Sequence, residues 1–130
     1  MLREQINEFS MLLSAWLFWP ALALVVWGEL AAPSLGPFHV WDKLLHVVAY
    51  FGLALLASLA LGGGRRALWA ALALVAVGGG LELVQGLIGR DMSLYDEIAN
   101  ILGVLAGVAS AWGYSAVLTP RRLVDARGPD

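Results

Sequence analysis

The sequence predicts an all-α integral membrane protein, a four-helix bundle with both termini in the cytoplasm. Three observations carry the fold class. Hydrophobic residues make up 60% of the 130 residues and charged residues 14%, about half the charged share of an average soluble domain. The apolar residues fall into four runs, each near the roughly 20 residues a helix needs to cross a ~30 Å hydrocarbon core. The connections are short, and in lipid the backbone polar groups must be satisfied within a helix. This composition excludes a disordered tail and an ordinary soluble enzyme. A net charge of −2 without a basic patch makes nucleic acid an unexpected partner; the lipid bilayer is the expected one. There is no cysteine, so disulfides and thiolate metal sites are excluded.

Segment 1 spans about 11–30, and residues 9–28 carry no charged side chain. Glu4 and Glu8 precede it, and the run exceeds the 7–15 residues of a cleaved leader, so it reads as a retained helix kinked at Pro20. Segment 2 spans about 43–62. The run Gly62-Gly63-Gly64-Arg65-Arg66 then reads as a tight polar turn. Segment 3, about 67–88, is interrupted by one charge, Glu82. Segment 4 spans about 97–118, and 119–130 is a polar tail of the same single domain. Arg3, Arg65, Arg66, Arg121, Arg122 and Arg127 fall on one side of this arrangement, and Lys43 and Arg90 on the other. That excess places both termini in the cytoplasm and the loops 31–42 and 89–96 outside. Trp27, Trp41 and Tyr95 then belong to the outer interface, and Trp69, Trp112 and Tyr114 to the inner one. Trp16 and Trp19 are expected to face lipid.

Polar side chains within membrane helices are expensive, and each is a functional hypothesis. Here they gather at the outer ends of segments 2, 3 and 4. Asp42, His46 and Tyr50 are spaced four apart on one helix face, with Lys43 beside it. Glu82 and Gln85 share a face, and Glu82 lies roughly 12 Å of helix rise below Arg90 if the helix continues that far. Gly78-Gly79-Gly80 allows a neighbouring backbone close. Ser93 followed by Asp96 resembles a capping box. Asp96, Asn100, Gly103 and Gly107 form one stripe, polar above and bare below, expected to pack on segment 2 or 3. Three helices thus aim Asp42, Lys43, His46, Tyr50, Glu82, Gln85, Arg90, Asp96 and Asn100 at one outer pocket.

Arg offers phosphate a bidentate fork and Lys a point charge. A desolvated Glu82 suits proton transfer, and His46 can shuttle protons. His46, Glu82 and Asp96 are therefore the catalytic candidates. Asp42, His46, Glu82 and Asp96 are all metal-capable, but no metal-ligand spacing is present, so no metal is assigned and the cofactor stays open. A Ser93–His46–Asp96 triad lacks a nucleophile-elbow pattern. Plainer readings stand beside these. Asp42 and Lys43 can be an interfacial ion pair, His46 a structural hydrogen-bonding residue, and Arg90 a counter-charge to Glu82 or Asp96. Asp91 and Glu97 read as solvated rim charges, and His39 as a loop residue without an arguable partner.

Asp42-Lys43-x-x-His46-x-x-x-Tyr50 resembles the first signature of the VanZ-like family of small membrane proteins. Glu82-x-x-Gln85 followed by Arg90-x-x-Ser93-x-x-Asp96-x-x-x-Asn100-x-x-Gly103 resembles the second. The matched positions lie between 42 and 107, about half of the chain. The family takes its name from an accessory protein of glycopeptide-resistance clusters. The resemblance implies a multi-pass protein of the bacterial cytoplasmic membrane, associated in some members with teicoplanin resistance. It supplies no mechanism.

Three functions compete. The polar site can bind or process an outer-leaflet lipid or cell-envelope precursor, with Lys43 and Arg90 on an anionic head group. It can serve a proton- or cation-coupled transporter through Glu82 and Asp96, favoured by six outer acids against two bases. It can be structural, locking the bundle or docking a partner protein.

Overall fold

The computed structural model describes residues 2–31, 40–90 and 92–118. They form four helices: α1 (Leu2–Ala31), α2 (Val40–Ala60), α3 (Gly64–Leu87) and α4 (Leu94–Leu118). Each is long and apolar enough to cross a bilayer. His39, Asp91 and the 119–130 tail lie outside the described residues. The bounds of α2, α3 and α4 fall within three residues of those the apolar runs predict. By contrast, α1 starts at Leu2 rather than near residue 11. Its first turns are rich in Leu, Arg, Glu and Gln, good helix formers that an apolar-run criterion does not register. The helix continues through Pro20 without interruption.

Glycine sets both tight turns. Gly62 has φ +68°, Gly63 N–H donates to Ser58 O at 3.0 Å, and Gly62 N–H to Leu59 O at 3.2 Å. This nested pair is a Schellman ending of α2. The same motif ends α3: Gly89 has φ +81°, Arg90 N–H donates to Gln85 O at 2.9 Å, and Gly89 N–H to Gly86 O at 3.4 Å. A positive φ is accessible to Gly at little cost. Because α3 ends at Leu87, Glu82 lies only about 7.5 Å of rise from the helix end, shallower than an unbroken helix to Arg90 requires.

The largest interface joins α2 and α4. It is built on the glycine stripe. A Cβ on Gly103 would lie 2.5 Å from Val47 O, and one on Gly107 2.5 Å from Phe51 O. The stripe therefore packs on α2, backbone against side-chain-free backbone, as small-residue stripes do in membranes. Tyr50, Leu53, Ala54, Ala57, Leu74, Val104 and Val108 form the buried core around it. On α1, Phe18, Ala21, Leu22 and Val25 cover that core from one side. Trp16 and Trp19 point away from the bundle and are 80% and 69% exposed. Trp27, Trp41 and Tyr95 at one end, and Trp69, Trp112 and Tyr114 at the other, are also exposed.

Candidate functional site

All nine polar residues singled out from the sequence gather at the end of the bundle where α1 stops and α2 and α4 start. His46, Tyr50, Glu82, Gln85, Asp96 and Asn100 are buried, and Tyr50 and Asn100 have no exposed surface. Asp42, Lys43 and Arg90 are half-buried. The i, i+4 spacing on α2 places Asp42, His46 and Tyr50 along the face toward α4. There Lys43 Nζ forms an ion pair with Asp96 Oδ1. The pairing across helices replaces the Asp42–Lys43 pair that adjacency in sequence allows.

Next along α4, Asn100 links two partners. Its Nδ2 donates to Glu97 Oε2 at 3.2 Å, and its Oδ1 lies 2.9 Å from His46 Nδ1. An amide oxygen only accepts, so this contact makes Nδ1 the protonated ring nitrogen and leaves Nε2 its lone pair. Glu97 is therefore no solvated rim charge. It is half-buried, and a Cβ on Gly78 would lie 2.9 Å from its Oε2 and 2.8 Å from Asn100 Nδ2. Of the three consecutive glycines, Gly78 is the one buried at this close approach.

Glu82 crosses to the start of α4, where its Oε2 accepts from Ser93 N–H at 2.9 Å. In a capping box a carboxylate three residues into the helix accepts that bond. Here a residue of α3 takes its place, because Asp96 is engaged with Lys43. Among the described residues Ser93 Oγ completes no hydrogen bond, so it forms neither a side-chain cap nor a Ser93–His46–Asp96 triad there.

Gln85 and Arg90 act on α1. Gln85 Nε2 donates to Glu29 O at 2.7 Å, and an Arg90 guanidinium N–H donates to the same carbonyl. Glu29 lies in the last turn of α1, where carbonyls lack helical partners and the helix dipole favours positive charge. Arg90 is thus a helix cap rather than a counter-charge to Glu82 or Asp96. Both cations of the cluster are turned onto internal partners, so the phosphate fork expected of Lys43 and Arg90 is not laid open.

The Glu29 side chain also enters the cluster. Its Oε1 lies 3.6 Å from His46 Nδ1, and its carboxylate faces Tyr50. Several buried atoms complete no hydrogen bond among the described residues: both Glu29 carboxylate oxygens, Tyr50 Oη, Glu82 Oε1, Arg90 Nε and Ser93 Oγ. Such atoms are costly unless a ligand or water meets them. One ligand atom each from Asp42, His46 and Asp96 also lie within 4.8 Å of one another. The cluster therefore joins an acid-rich donor set to unsatisfied polar atoms.

Below the cluster, α3 and α4 part to leave an apolar groove of about 690 Å³, lined by Leu68, Leu72, Val75, Ile101, Leu105 and Trp112 among others. Ile101 is one turn below Glu97 and Val75 one turn below Gly78, so the groove begins where the polar cluster ends.

No family model, curated protein or solved structure matches this chain.

Two members of the cluster, Glu29 and Glu97, were not expected from the sequence. Glu29 borders a loop, where a charge ordinarily reads as a helix flank. The usable signal was its place after an uninterrupted apolar run, within the last turn of a span. Glu97 follows Asp96 and is three residues from Asn100, a spacing that permits their hydrogen bond.

Proposed function

We propose that this chain is a VanZ-like protein of the bacterial cytoplasmic membrane. In this reading its polar cluster faces outward and binds the head group of a cell-envelope lipid or lipid-linked precursor. Both termini are then cytoplasmic, consistent with the placement of the arginines. A contribution to glycopeptide (teicoplanin) resistance belongs to the same reading through the family resemblance.

The observation that carries it is a polar and an apolar surface at successive levels of the bundle. Carboxylate and hydroxyl atoms of Glu29, Glu82 and Tyr50 that complete no hydrogen bond among the described residues sit at one end, and an apolar groove between α3 and α4 starts one helical turn from Glu97 and Gly78. An amphipathic ligand needs such a pair: polar partners for its head and a hydrocarbon surface for its chain. The free acceptors favour a head group rich in hydroxyl or amide donors. His46, Glu82 and Asp96 remain the groups available for acting on it.

Native mass spectrometry of the protein released from mild detergent tests this. Wild type is expected to carry a specific lipid or precursor that folded Glu82→Gln and Glu29→Gln lose. Protein without a bound species, or variants that keep it and only melt earlier, would support the structural reading instead.

The excess of carboxylates favours a second reading, proton- or cation-coupled transport. The half of the bundle nearer Gly62 buries the hydroxyls of Ser14 and Ser58 but, among the described residues, no ionisable side chain, so no chain of titratable groups continues through it. A proteoliposome flux unchanged by Glu82→Gln would remove this reading.

A further inference from the structure

We infer that Asp42, His46 and Asp96 form a binding site for one divalent transition-metal ion, with Zn2+ as the probe. The inference goes beyond the lipid reading and does not depend on it.

The first ground is geometric. One ring nitrogen of His46 and one carboxylate oxygen each of Asp42 and Asp96 lie within 4.8 Å of one another. Three ligands about 2.1 Å from a shared tetrahedral ion stand about 3.4 Å apart. Side-chain rotations that bring the atoms up to roughly an ångström closer therefore close the site. Asp42 and His46 are held one helical turn apart on α2, and Asp96 is held on the first turn of α4. The rigid α2–α4 interface, not a loop, sets their spacing.

The second ground is the preparation of the imidazole. Glu97 orients the Asn100 amide, and Asn100 Oδ1 accepts a hydrogen bond from the His46 Nδ1–H. The remaining nitrogen, Nε2, keeps the lone pair a metal requires. Fixing the ligand tautomer through the other ring nitrogen is the common outer-shell device of histidine metal sites. Asn100 and Glu97 are positioning residues here.

The third ground is independent of the three ligands. The Glu29 side chain is only 9% exposed, and its Oε1 lies 3.6 Å from His46 Nδ1. Among the described residues neither of its carboxylate oxygens completes a hydrogen bond of good geometry. Tyr50 and His46 face this carboxylate, and as a buried anion it is stabilised by a nearby positive charge. Arg90 does not supply one, because it donates to the Glu29 backbone carbonyl. Lys43 is committed to Asp96.

The donor set names the ion class. Two carboxylates and one imidazole, without sulfur, suit Zn2+, or the harder Mn2+, rather than soft Cu+. Three protein ligands leave a coordination position open to water or to a ligand's oxygen. The ion would give an acid-rich site the means to hold an anionic group. Lys43 occupies one Asp96 oxygen and so competes with the ion.

The test uses the full chain in detergent, stripped with a chelator and desalted, then titrated with ZnCl2 by calorimetry. Metal content is read by plasma mass spectrometry. Wild type is expected to bind one Zn2+ per chain. His46→Ala and Asp42→Asn should weaken binding about tenfold or more, whereas Lys43→Met should tighten it. Wild type without saturable binding overturns the inference, as does unchanged affinity in folded His46→Ala and Asp42→Asn. Should those variants fail to fold, His39→Ala leaves His46 as the sole imidazole of a chain with two histidines. Histidine-labelled 15N spectra of that protein should then show Nε2 shifting with one equivalent of Zn2+. An unmoved Nε2 resonance overturns the site.

Discussion

At Gly103 a single missing side chain decides whether two helices meet. The nearest atoms to an added Cβ are backbone, Val47 O at 2.5 Å and Phe51 N at 2.9 Å, and backbone cannot rotate aside. Gly103→Ala is therefore expected to destabilise the bundle by about 1–3 kcal/mol, read as a lower unfolding temperature in detergent. Gly113 has nothing within 4 Å of its would-be Cβ. Gly113→Ala should be neutral or stabilising by about 0.5–1 kcal/mol from helix propensity. If the two substitutions behave alike, close α2–α4 packing is not what the stripe provides. At this scale the stripe was legible as a spacing of four, but its partner was not. Small residues advertise close approach without naming the surface approached, and α2 offered no matching stripe of glycines.

At the scale of elements, helix ends are completed from other helices. The last turn of α1 is capped by Gln85 and Arg90, and the first turn of α4 receives a carboxylate from Glu82. Gln85→Ala should cost about 1 kcal/mol and Arg90→Ala about 1.5–3 kcal/mol, since the arginine donor is charged. Hydrogen exchange localises the effect. Amides in the last turn of α1 should exchange faster, while those of the α2–α4 interface should hold their protection. The existence of four helices was readable from the sequence because apolar runs of spanning length leave little alternative. The caps were not. Ser93 and Asp96 have the spacing of a local cap, and only the approach of Lys43 diverts Asp96 and leaves the role to Glu82.

For the whole molecule, the polar end and the arginine-bearing end make orientation testable. The chain has no native cysteine, so single cysteines report without background. In intact cells Trp41→Cys should react with a membrane-impermeant maleimide, and Arg66→Cys only after permeabilisation. The reverse pattern would turn the cluster toward the cytoplasm and remove the outer-leaflet ligand. The gathering of polar residues at one end was legible, because each stands out against an apolar helix. Which of them touch was not, since the pairings of Lys43 with Asp96 and His46 with Asn100 join positions 53 and 54 residues apart.

The capping of α1 has a consequence for biosynthesis. Gln85 and Arg90 follow Glu29 by 56 and 61 residues. At about 5–20 residues per second, the ribosome reaches Arg90 roughly 3–12 s after Glu29. Throughout that interval the last carbonyls of the first helix lack these two donors. A chain stalled before Gln85 would thus leave the end of its first helix to water alone, and the completed cap arrives only with the third helix and the turn that follows it.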